Sequence, residues 1–251
     1  YNEYPLEVVQ LFEAQTSKRA WEEDVGVSSF GLAPVKSEGA AVSFDSERQA
    51  FTTRYTPIVY ALGFVITREM LDDEQYDVAG QRRAQGLAFS VRQTQEIVGA
   101  NVYNRAFTSG YTGGDGSILA VSSHPNVAGG TQSNVLSTAS DLSEAALEQA
   151  CIDISLLKND RGLQISLRPE QLIVSAADMF NATRVLESQL RTNTSNNDIN
   201  AVKQMGLIPK GALVNPYFGV EATQAWFLQT SIPRGKGLVS IWRRYPELER
   251  D

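Results

Sequence analysis

The hydrophobic pattern of the chain is dominated by one proline-free stretch, Gln75 to Phe107. Apolar residues recur there at spacings of three and four, which predicts a long amphipathic helix. At a rise of about 1.5 Å per residue, such a helix would be on the order of 50 Å long. Its interior glycines, which cost about 1 kcal/mol each, indicate that other segments cross it closely. The residues predicted to form its buried stripe are Leu87, Val91, Val98 and Val102.

Before this helix, the pattern changes to the alternation that is typical of β-strands. From Val35 to Tyr55 it predicts a hairpin with a polar turn at Asp45 to Arg48. An isolated two-stranded ribbon is marginal in water, so this hairpin needs a neighbouring surface. Ile58 to Ile66 is apolar on both faces, which predicts a strand that is covered on both sides. The hairpin residues expected to lie on the neighbouring surface are Val42, Phe44 and Phe51.

The second half of the chain alternates between helical and strand patterns. The predicted elements are a helix opened by an Asp141–Glu144 capping box, strands at Leu163–Leu167 and Leu172–Val174, and a helix from Ser175 to Leu190. Arg191 to Asn200 is dominated by Thr, Ser and Asn, which predicts a surface loop. The remainder is rich in strand signals. The whole pattern therefore predicts an α+β fold.

Charge and composition narrow the class of protein. The formal net charge of −7 disfavours non-specific binding to nucleic acid through a basic surface. The single cysteine, Cys151, cannot form an internal disulfide. No apolar run reaches the roughly 18 residues that a membrane-spanning helix needs. The chain begins at Tyr1 rather than Met and stops directly after a charged run, so we expect further residues at both ends of the natural protein.

Candidate catalytic and metal-binding chemistry is sparse. His124 is the only histidine, and the adjacent Ser122 and Ser123 are too close in sequence for the usual geometry of a catalytic triad. One Cys and one His cannot build a structural zinc site. Asp115 lies in a Gly-rich stretch that lacks the ligand series of a calcium loop. We therefore predict no catalytic residue, no metal site and no cofactor, and keep a hydrolase that uses His124 as the enzyme alternative.

Several short stretches carry a resemblance to a known family. They are Ile66–Asp73 before the long helix, Ser123–Asn126, Leu163–Ile165 with Arg168–Pro169, Leu172–Ser175 and Trp242–Pro246. In these stretches, and in the order of its elements, the chain resembles the major capsid proteins of tailed phages. These have the Hong Kong 97-like fold, and the Mu-type major head subunits are the most similar. The motifs are structural rather than catalytic.

The resemblance implies a division of the chain into five parts. Residues 1–33 would form an N-terminal arm, 34–56 an extended β-hairpin loop, 57–107 a peripheral domain with the long spine helix, 108–240 an axial domain, and 241–251 the start of a return to the peripheral domain. Val42, Phe44 and Phe51 would then contact a neighbouring subunit. Residues Thr192, Thr194, Asn196 and Asn197 would lie in a loop at the centre of the capsomer.

The resemblance also implies a function and its partners. The chain would assemble, through hexameric and pentameric capsomers, into an icosahedral head that encloses double-stranded DNA without sequence-specific binding. Portal, scaffold or decoration proteins would be further partners, no membrane would be involved, and assembly in the host cytoplasm would end in the virion. Some relatives crosslink through a loop lysine, but we predict no crosslink at Lys36. An encapsulin-type nanocompartment shell is the alternative within the same fold.

Overall fold

The fold is that of a computed structural model, which describes residues 6–72, 76–191, 198–219, 224–233 and 236–247. The chain divides into two compact units. The first unit consists of Tyr1–Glu22, Tyr55–Val102 and Pro233–Asp251, and the second consists of Glu23–Arg54 and Tyr103–Ile232. Mixed helices and strands confirm the α+β class. None of the described helices is long and apolar enough to cross a membrane.

The first unit is built on a long helix, which confirms the main helical prediction. This helix, α2, covers Tyr76–Asn104 and follows a short helix, α1, at Arg68–Asp72. The residues of α2 that are buried are Arg92, Glu96, Ala100 and Tyr103, the last of which belongs to the second unit. Successive members are three or four positions apart, so they form one stripe along the helix.

This buried stripe differs from the predicted one. Leu87 and Val91 are half-buried, whereas Val98 and Val102 are 40% and 37% exposed. The burial predicted for Val98 and Val102 therefore does not hold within a single chain. The physical reason is that the N-terminal segment packs over Glu96 and Gly99. At about 100° per residue, the covered face is thereby rotated by about 145° around the helix from the predicted apolar stripe.

The described part of the N-terminal segment is integrated into the first unit. A short 3₁₀-helix at Val8–Gln10 is followed by β1, Glu13–Thr16, which pairs in parallel with β9, Val239–Trp242. Leu11 between them is fully buried. The carboxylate of Glu96 accepts hydrogen bonds from the backbone N–H groups of Glu7 at 2.7 Å and Val8 at 3.1 Å. These bonds satisfy donors at the start of the 3₁₀-helix that would otherwise lack partners.

The stretch Ile58–Ile66 was predicted as a strand covered on both sides, and the structure contradicts this. Residues 56–67, all of which are described, form neither helix nor strand. Most of their apolar side chains are exposed, and Val59 reaches 86%. A sequence that is apolar on both faces indicates that it is covered, but no strand among the described residues pairs with this stretch.

The second unit has its core around a three-stranded sheet. The central strand β6, Pro169–Ser175, pairs in parallel with β7, Ala212–Asn215, and antiparallel with β8, Phe227–Thr230. Helices α3 (Glu144–Ser155), α4 (Met179–Glu187) and α5 (Ala201–Gln204) contribute to its hydrophobic core. The residues of this core are Leu142, Leu147, Leu172, Val174, Ala182, Val185, Leu186 and Val202.

Several local predictions for the second unit need correction. Ser143, and not Asp141, caps α3, because its hydroxyl accepts a hydrogen bond from the Ala146 N–H. Leu163–Leu167 is not a strand and forms only an isolated bridge between Lys158 and Gln164. Asn159, whose carboxamide accepts hydrogen bonds from two backbone N–H groups, instead shapes this region into a tight turn.

The predicted hairpin is also displaced along the sequence. The strand β3, Gln49–Tyr55, pairs with β2, Glu22–Val27, rather than with residues 42–44. Val42 and Phe44 therefore lie in the long connection between β2 and β3 and are exposed, Phe44 by 95%. Phe51 lies in β3 and is also exposed. In β2 the acidic side chains of Glu23 and Asp24 are exposed, while the strand pairs with β3 through its backbone.

The remaining elements are short. Strands β4, His124–Pro125, and β5, Thr131–Gln132, form an antiparallel pair. The predicted capsomer-centre residues Thr192, Thr194, Asn196 and Asn197 lie outside the described residues. On either side of them, the Arg191 N–H donates to the Asp198 carbonyl at 2.8 Å, and an isolated bridge joins Leu190 to Ile199.

Candidate functional site

The one candidate for catalysis, His124, is paired with a carboxylate. Its Nδ1 lies 2.6 Å from Oδ2 of Asp115, and Oδ1 of Asp115 accepts a hydrogen bond from the Ser117 N–H at 3.1 Å. Burial opposes ionisation of Asp115, but the hydrogen bonds from His124 and Ser117 outweigh it and lower the pKa of this carboxyl below its ordinary value. The pair therefore holds the Gly-rich turn at Gly113–Ser117 against β4.

This pair lacks the further partner that nucleophilic catalysis requires. A nucleophile would have to hydrogen-bond to Nε2 of His124. That atom is buried and has no hydrogen-bond partner among the described residues, while Ser122 and Ser123 are exposed. Within the described parts of the chain, no group of three or more His, Cys, Asp or Glu side chains could hold a metal ion. The arrangement thus supports a turn-stabilising role for His124.

A second candidate region is the connection between β2 and β3. Residues 29–48 are exposed throughout and form neither helix nor strand. Near its two ends, this connection contacts the turn that follows α3. Arg161 in that turn donates from Nε to the Ser29 carbonyl at 2.9 Å and from Nη2 to the Ser46 carbonyl at 2.8 Å. The same Nη2 lies 3.2 Å from Oδ1 of Asp45.

Between these two contact points, the connection carries large apolar side chains in solvent. Leu32, Val35, Val42 and Phe44 are all exposed. In the first unit, residues 56–67 form a second exposed apolar segment. Contiguous exposed apolar surface is unusual for a monomeric protein and marks sites of association. Each large apolar side chain gains about 1.5 to 3 kcal/mol when it is removed from water. The two segments are therefore candidate association surfaces.

The aromatic contacts at the C-terminal end of α2 help to order the second unit. Tyr103 packs against Phe218 and Phe227 with ring centroids 5.6 and 5.0 Å apart. Burial raises the pKa of Tyr103 to about 12. Next to it, the Asn104 carboxamide donates to the Tyr217 carbonyl and accepts from the Gly219 N–H. These contacts are structural, since they pack the aromatic rings and pair the Asn104 carboxamide with backbone groups.

Comparisons with known proteins identify relatives of this chain. Residues 49–250 match the family described as phage capsid protein. Comparison with curated proteins gives no match. Among solved structures, the chain is similar to the capsid of bacteriophage JBD30, with 12% identity, a TM-score of 0.64, and coverage of 86% of this chain and 92% of that chain.

Two further structures from the same phage are also similar. One is the JBD30 capsid decorated with minor capsid protein trimers, with 15% identity, a TM-score of 0.62, and coverage of 86% and 92%. The other is the JBD30 procapsid, with 14% identity, a TM-score of 0.57, and coverage of 86% and 93%. At such low identity, these similarities show a shared fold.

The family match decides between the alternatives drawn from the sequence. It extends over most of the chain, from β3 to beyond β9, and it favours neither an encapsulin nor a hydrolase that uses His124. The exposed apolar segments and the partnerless Nε2 of His124 agree with it. The chain belongs to the phage capsid protein family, and its role is that of a structural capsid shell protein.

Proposed function

We propose that the chain is the major capsid protein of a tailed phage, with a Hong Kong 97-like fold, and that it forms the icosahedral head around the double-stranded DNA genome. The observation that carries the proposal is the exposure of two apolar segments, residues 29–48 and 56–67, in a chain of this family. Stable interfaces bury about 1,200 to 2,000 Å². Two segments of this kind, used by every subunit, supply surface for such contacts.

The proposed arrangement keeps the five parts inferred from the resemblance. Residues 1–33 form the arm, 34–56 the extended loop, 57–107 the peripheral domain, 108–240 the axial domain and 241–251 the start of the return. In this arrangement Val42, Phe44 and Phe51 contact a neighbouring subunit. Thr192, Thr194, Asn196 and Asn197 lie at the capsomer centre, and the described residues on either side of them, Arg191 and Asp198, are joined by a backbone hydrogen bond.

The partners follow from closed symmetry and from charge. Contacts between two different surfaces of identical subunits form closed rings if the rotation closes, and open fibres if it does not. In the proposed shell these contacts close into hexameric and pentameric capsomers. The net charge of −7 supports enclosure of DNA without sequence-specific binding, since acidic subunits and DNA phosphates repel each other. Portal and scaffold proteins complete the assembly in the host cytoplasm. The decoration of the JBD30 capsid by minor capsid protein trimers supports a decoration partner here too.

The proposed role is structural, without enzymatic turnover, cofactor or metal. It also involves no covalent joining of subunits. Lys36 lies in the exposed loop, and an activating carboxylate beside it is not identified. Denaturing gels of assembled particles should therefore show monomer only. A ladder of higher species would contradict this part of the proposal.

The loop assignment is tested by Phe44→Ser. Phe44 is 95% exposed, so its loss should change the stability of the isolated subunit by less than about 0.5 kcal/mol. If Phe44 is buried between subunits, each contact loses about 2 kcal/mol, or about thirtyfold in its association constant. The yield of shells should fall accordingly, as measured by sedimentation and electron microscopy.

The matched control is Glu38→Gln, another exposed change in the same loop. It should leave both the subunit and the shell yield unchanged. Equal shell yields for Phe44→Ser and Glu38→Gln would show that this part of the loop does not contact a neighbour. Loss of folding in Phe44→Ser would contradict its exposure in the subunit.

A further inference from the structure

Arg161 contacts both ends of the connection between β2 and β3, residues 28–48, which includes the first part of the proposed extended loop and is called the loop here. We define the loop base as residues 28–31 and 45–48, and the loop tip as residues 32–44. The guanidinium group of Arg161 bonds to Ser29 in one half of the base and to Asp45 and Ser46 in the other half. A single side chain thus joins two stretches of the loop that are separated by the whole tip.

The turn that carries Arg161 is itself closely hydrogen-bonded. The Asn159 carboxamide oxygen accepts from the backbone N–H groups of Arg161 at 3.0 Å and Leu163 at 2.8 Å. The Asn159 N–H donates to the Leu163 carbonyl at 2.7 Å, and Gly162 has the positive φ of 80° that this turn requires. The Asn159 amide group also donates to the Ser29 hydroxyl at 2.7 Å. The turn therefore presents Arg161 in one orientation.

The loop base is also joined across its two halves independently of the turn. The Asp45 carboxylate accepts from the Gly31 N–H at 2.9 Å and from the Ser46 N–H at 2.9 Å. These backbone hydrogen bonds are the main cause of the lowered pKa of Asp45, and the positive charge of Arg161 lowers it further. The Ser28 N–H donates to the Arg48 carbonyl, and the Arg48 N–H donates back to the Ser28 hydroxyl. The base is thus a closed unit to which Arg161 binds.

The loop tip lies between the two halves of the base and is exposed along its whole length. It carries the large apolar side chains of Leu32, Val35, Val42 and Phe44. A loop that is ordered at its base and free at its tip can reach a neighbour from a defined point of departure. Preorganisation of this kind reduces the ordering cost of association.

We propose that Arg161 is the positioning residue of the extended loop, holding both halves of its base on the turn after α3 so that the tip leaves the subunit in one direction. The inference deepens the proposed function and rests on it. Arginine suits this task because its planar group offers several donors in a fixed fork, whereas lysine offers one compact charge. Arg161 does not touch the neighbouring subunit in this account; it acts through the loop.

The test compares Arg161→Ala and Arg161→Lys with Arg184→Ala, an exposed arginine of the same unit on α4. Hydrogen exchange of the unassembled subunit reports on the loop base through the amides of Gly31, Ser46 and Arg48. We expect Arg161→Ala to accelerate exchange there at least tenfold, while amides of β6 keep the wild-type rate. Arg184→Ala should match the wild type throughout.

Shell yield is the second readout, because a purely local role for Arg161 would leave it unchanged. We expect Arg161→Ala to lower the yield about tenfold, and Arg161→Lys to restore only part of it. Unchanged exchange in the loop base would overturn the inference. So would faster exchange with a normal shell yield, or full rescue by lysine. If the wild-type protein formed no shells, the proposed function would fail, while the exchange comparison would still decide whether Arg161 holds the loop.

Discussion

The close approach of the N-terminal segment to α2 can be tested with a single methyl group. A Cβ atom at Gly99 would lie 1.9 Å from Cγ2 and 3.1 Å from Cβ of Val8, and 3.6 Å from Cε2 of Phe12. The first distance is far below van der Waals contact, and the valine side chain is too short to move aside without its backbone. Gly99→Ala should therefore displace the 3₁₀-helix at Val8–Gln10.

The magnitude follows from two opposing effects. Replacing glycine by alanine in a helix interior stabilises the helix by about 1 kcal/mol. Overpacking costs about 1 to 3 kcal/mol, and displacement also weakens the hydrogen bonds of Glu96 to Glu7 and Val8. These bonds contribute about 1 to 2 kcal/mol together. We expect a net loss of about 1 to 3 kcal/mol in the free energy that holds the N-terminal segment on α2.

The matched control is Gly86→Ala in the same helix, where an added Cβ would meet nothing within 4 Å. It should stabilise the protein by up to about 1 kcal/mol in urea unfolding. Hydrogen exchange of the amides of Val8 to Leu11 should accelerate in Gly99→Ala alone. If both variants were equally stabilised and kept wild-type exchange in this segment, the packing of Val8 against Gly99 would be wrong.

Three further predictions concern buried groups in each unit. Burial raises the pKa of Glu96. The free energy that Glu96 contributes to holding the N-terminal segment on α2 is therefore fully present below its unfolded pKa, and it declines as pH rises through its folded pKa. Glu96→Gln should therefore remove this pH dependence and keep one of the two hydrogen bonds, whereas Glu96→Ala should lose about 2 kcal/mol in acid and less as pH rises, as followed by hydrogen exchange. The pKa of Asp115 is lowered, so its pH dependence has the opposite sign. Its contribution to the free energy of unfolding is present above its unfolded pKa and is lost as pH falls through its folded pKa. Asp115→Asn should lower stability by about 1 to 2 kcal/mol at neutral pH in thermal unfolding, and by less in acid. Leu172→Ala, in the centre of β6, should cost about 2 to 5 kcal/mol in urea unfolding, while the more exposed Ile165→Ala should cost less than about 1 kcal/mol.

The sequence predicts best the elements whose signal is local. The helix α2 is proline-free and periodic, and its observed bounds lie within three residues of the predicted ones. The strand at Leu172–Val174 combines branched apolar residues with flanking turn signals, and it is the central strand of the second unit. In both elements, periodicity and propensity agree with the tertiary fold, so local reasoning suffices.

Local sequence patterns do not specify which strands pair when the strands are far apart in the chain. The parallel pairing of β1 with β9 joins Glu13 to Val239, and nothing in either strand specifies the other. The sequence assigns no role to Glu96, yet its carboxylate caps the 3₁₀-helix from a buried position on α2. The stretch Ile58–Ile66 shows the reverse case, since its apolar faces indicate a cover, yet most of its apolar side chains are exposed among the described residues.

The same limit applies to the functional residues. The turn Asn159–Gly162 was recognisable from its composition, but the role of Arg161 depends on Ser29 and Asp45, each more than 100 positions away. The sequence placed Asp115 only in a Gly-rich stretch, and its contact with His124 depends on the folded turn. Asn159 and Gly162 are residue types that favour tight turns, so the sequence does predict an ordered turn here rather than a flexible loop.

The central claim is that copies of this chain close into a shell. Electron microscopy of the purified full chain, examined across salt concentrations that screen its net charge of −7, tests this claim most directly. The account predicts closed icosahedral particles in which the extended loop of one subunit lies on its neighbour. Monomers under every condition, or open fibres that never close, would contradict it.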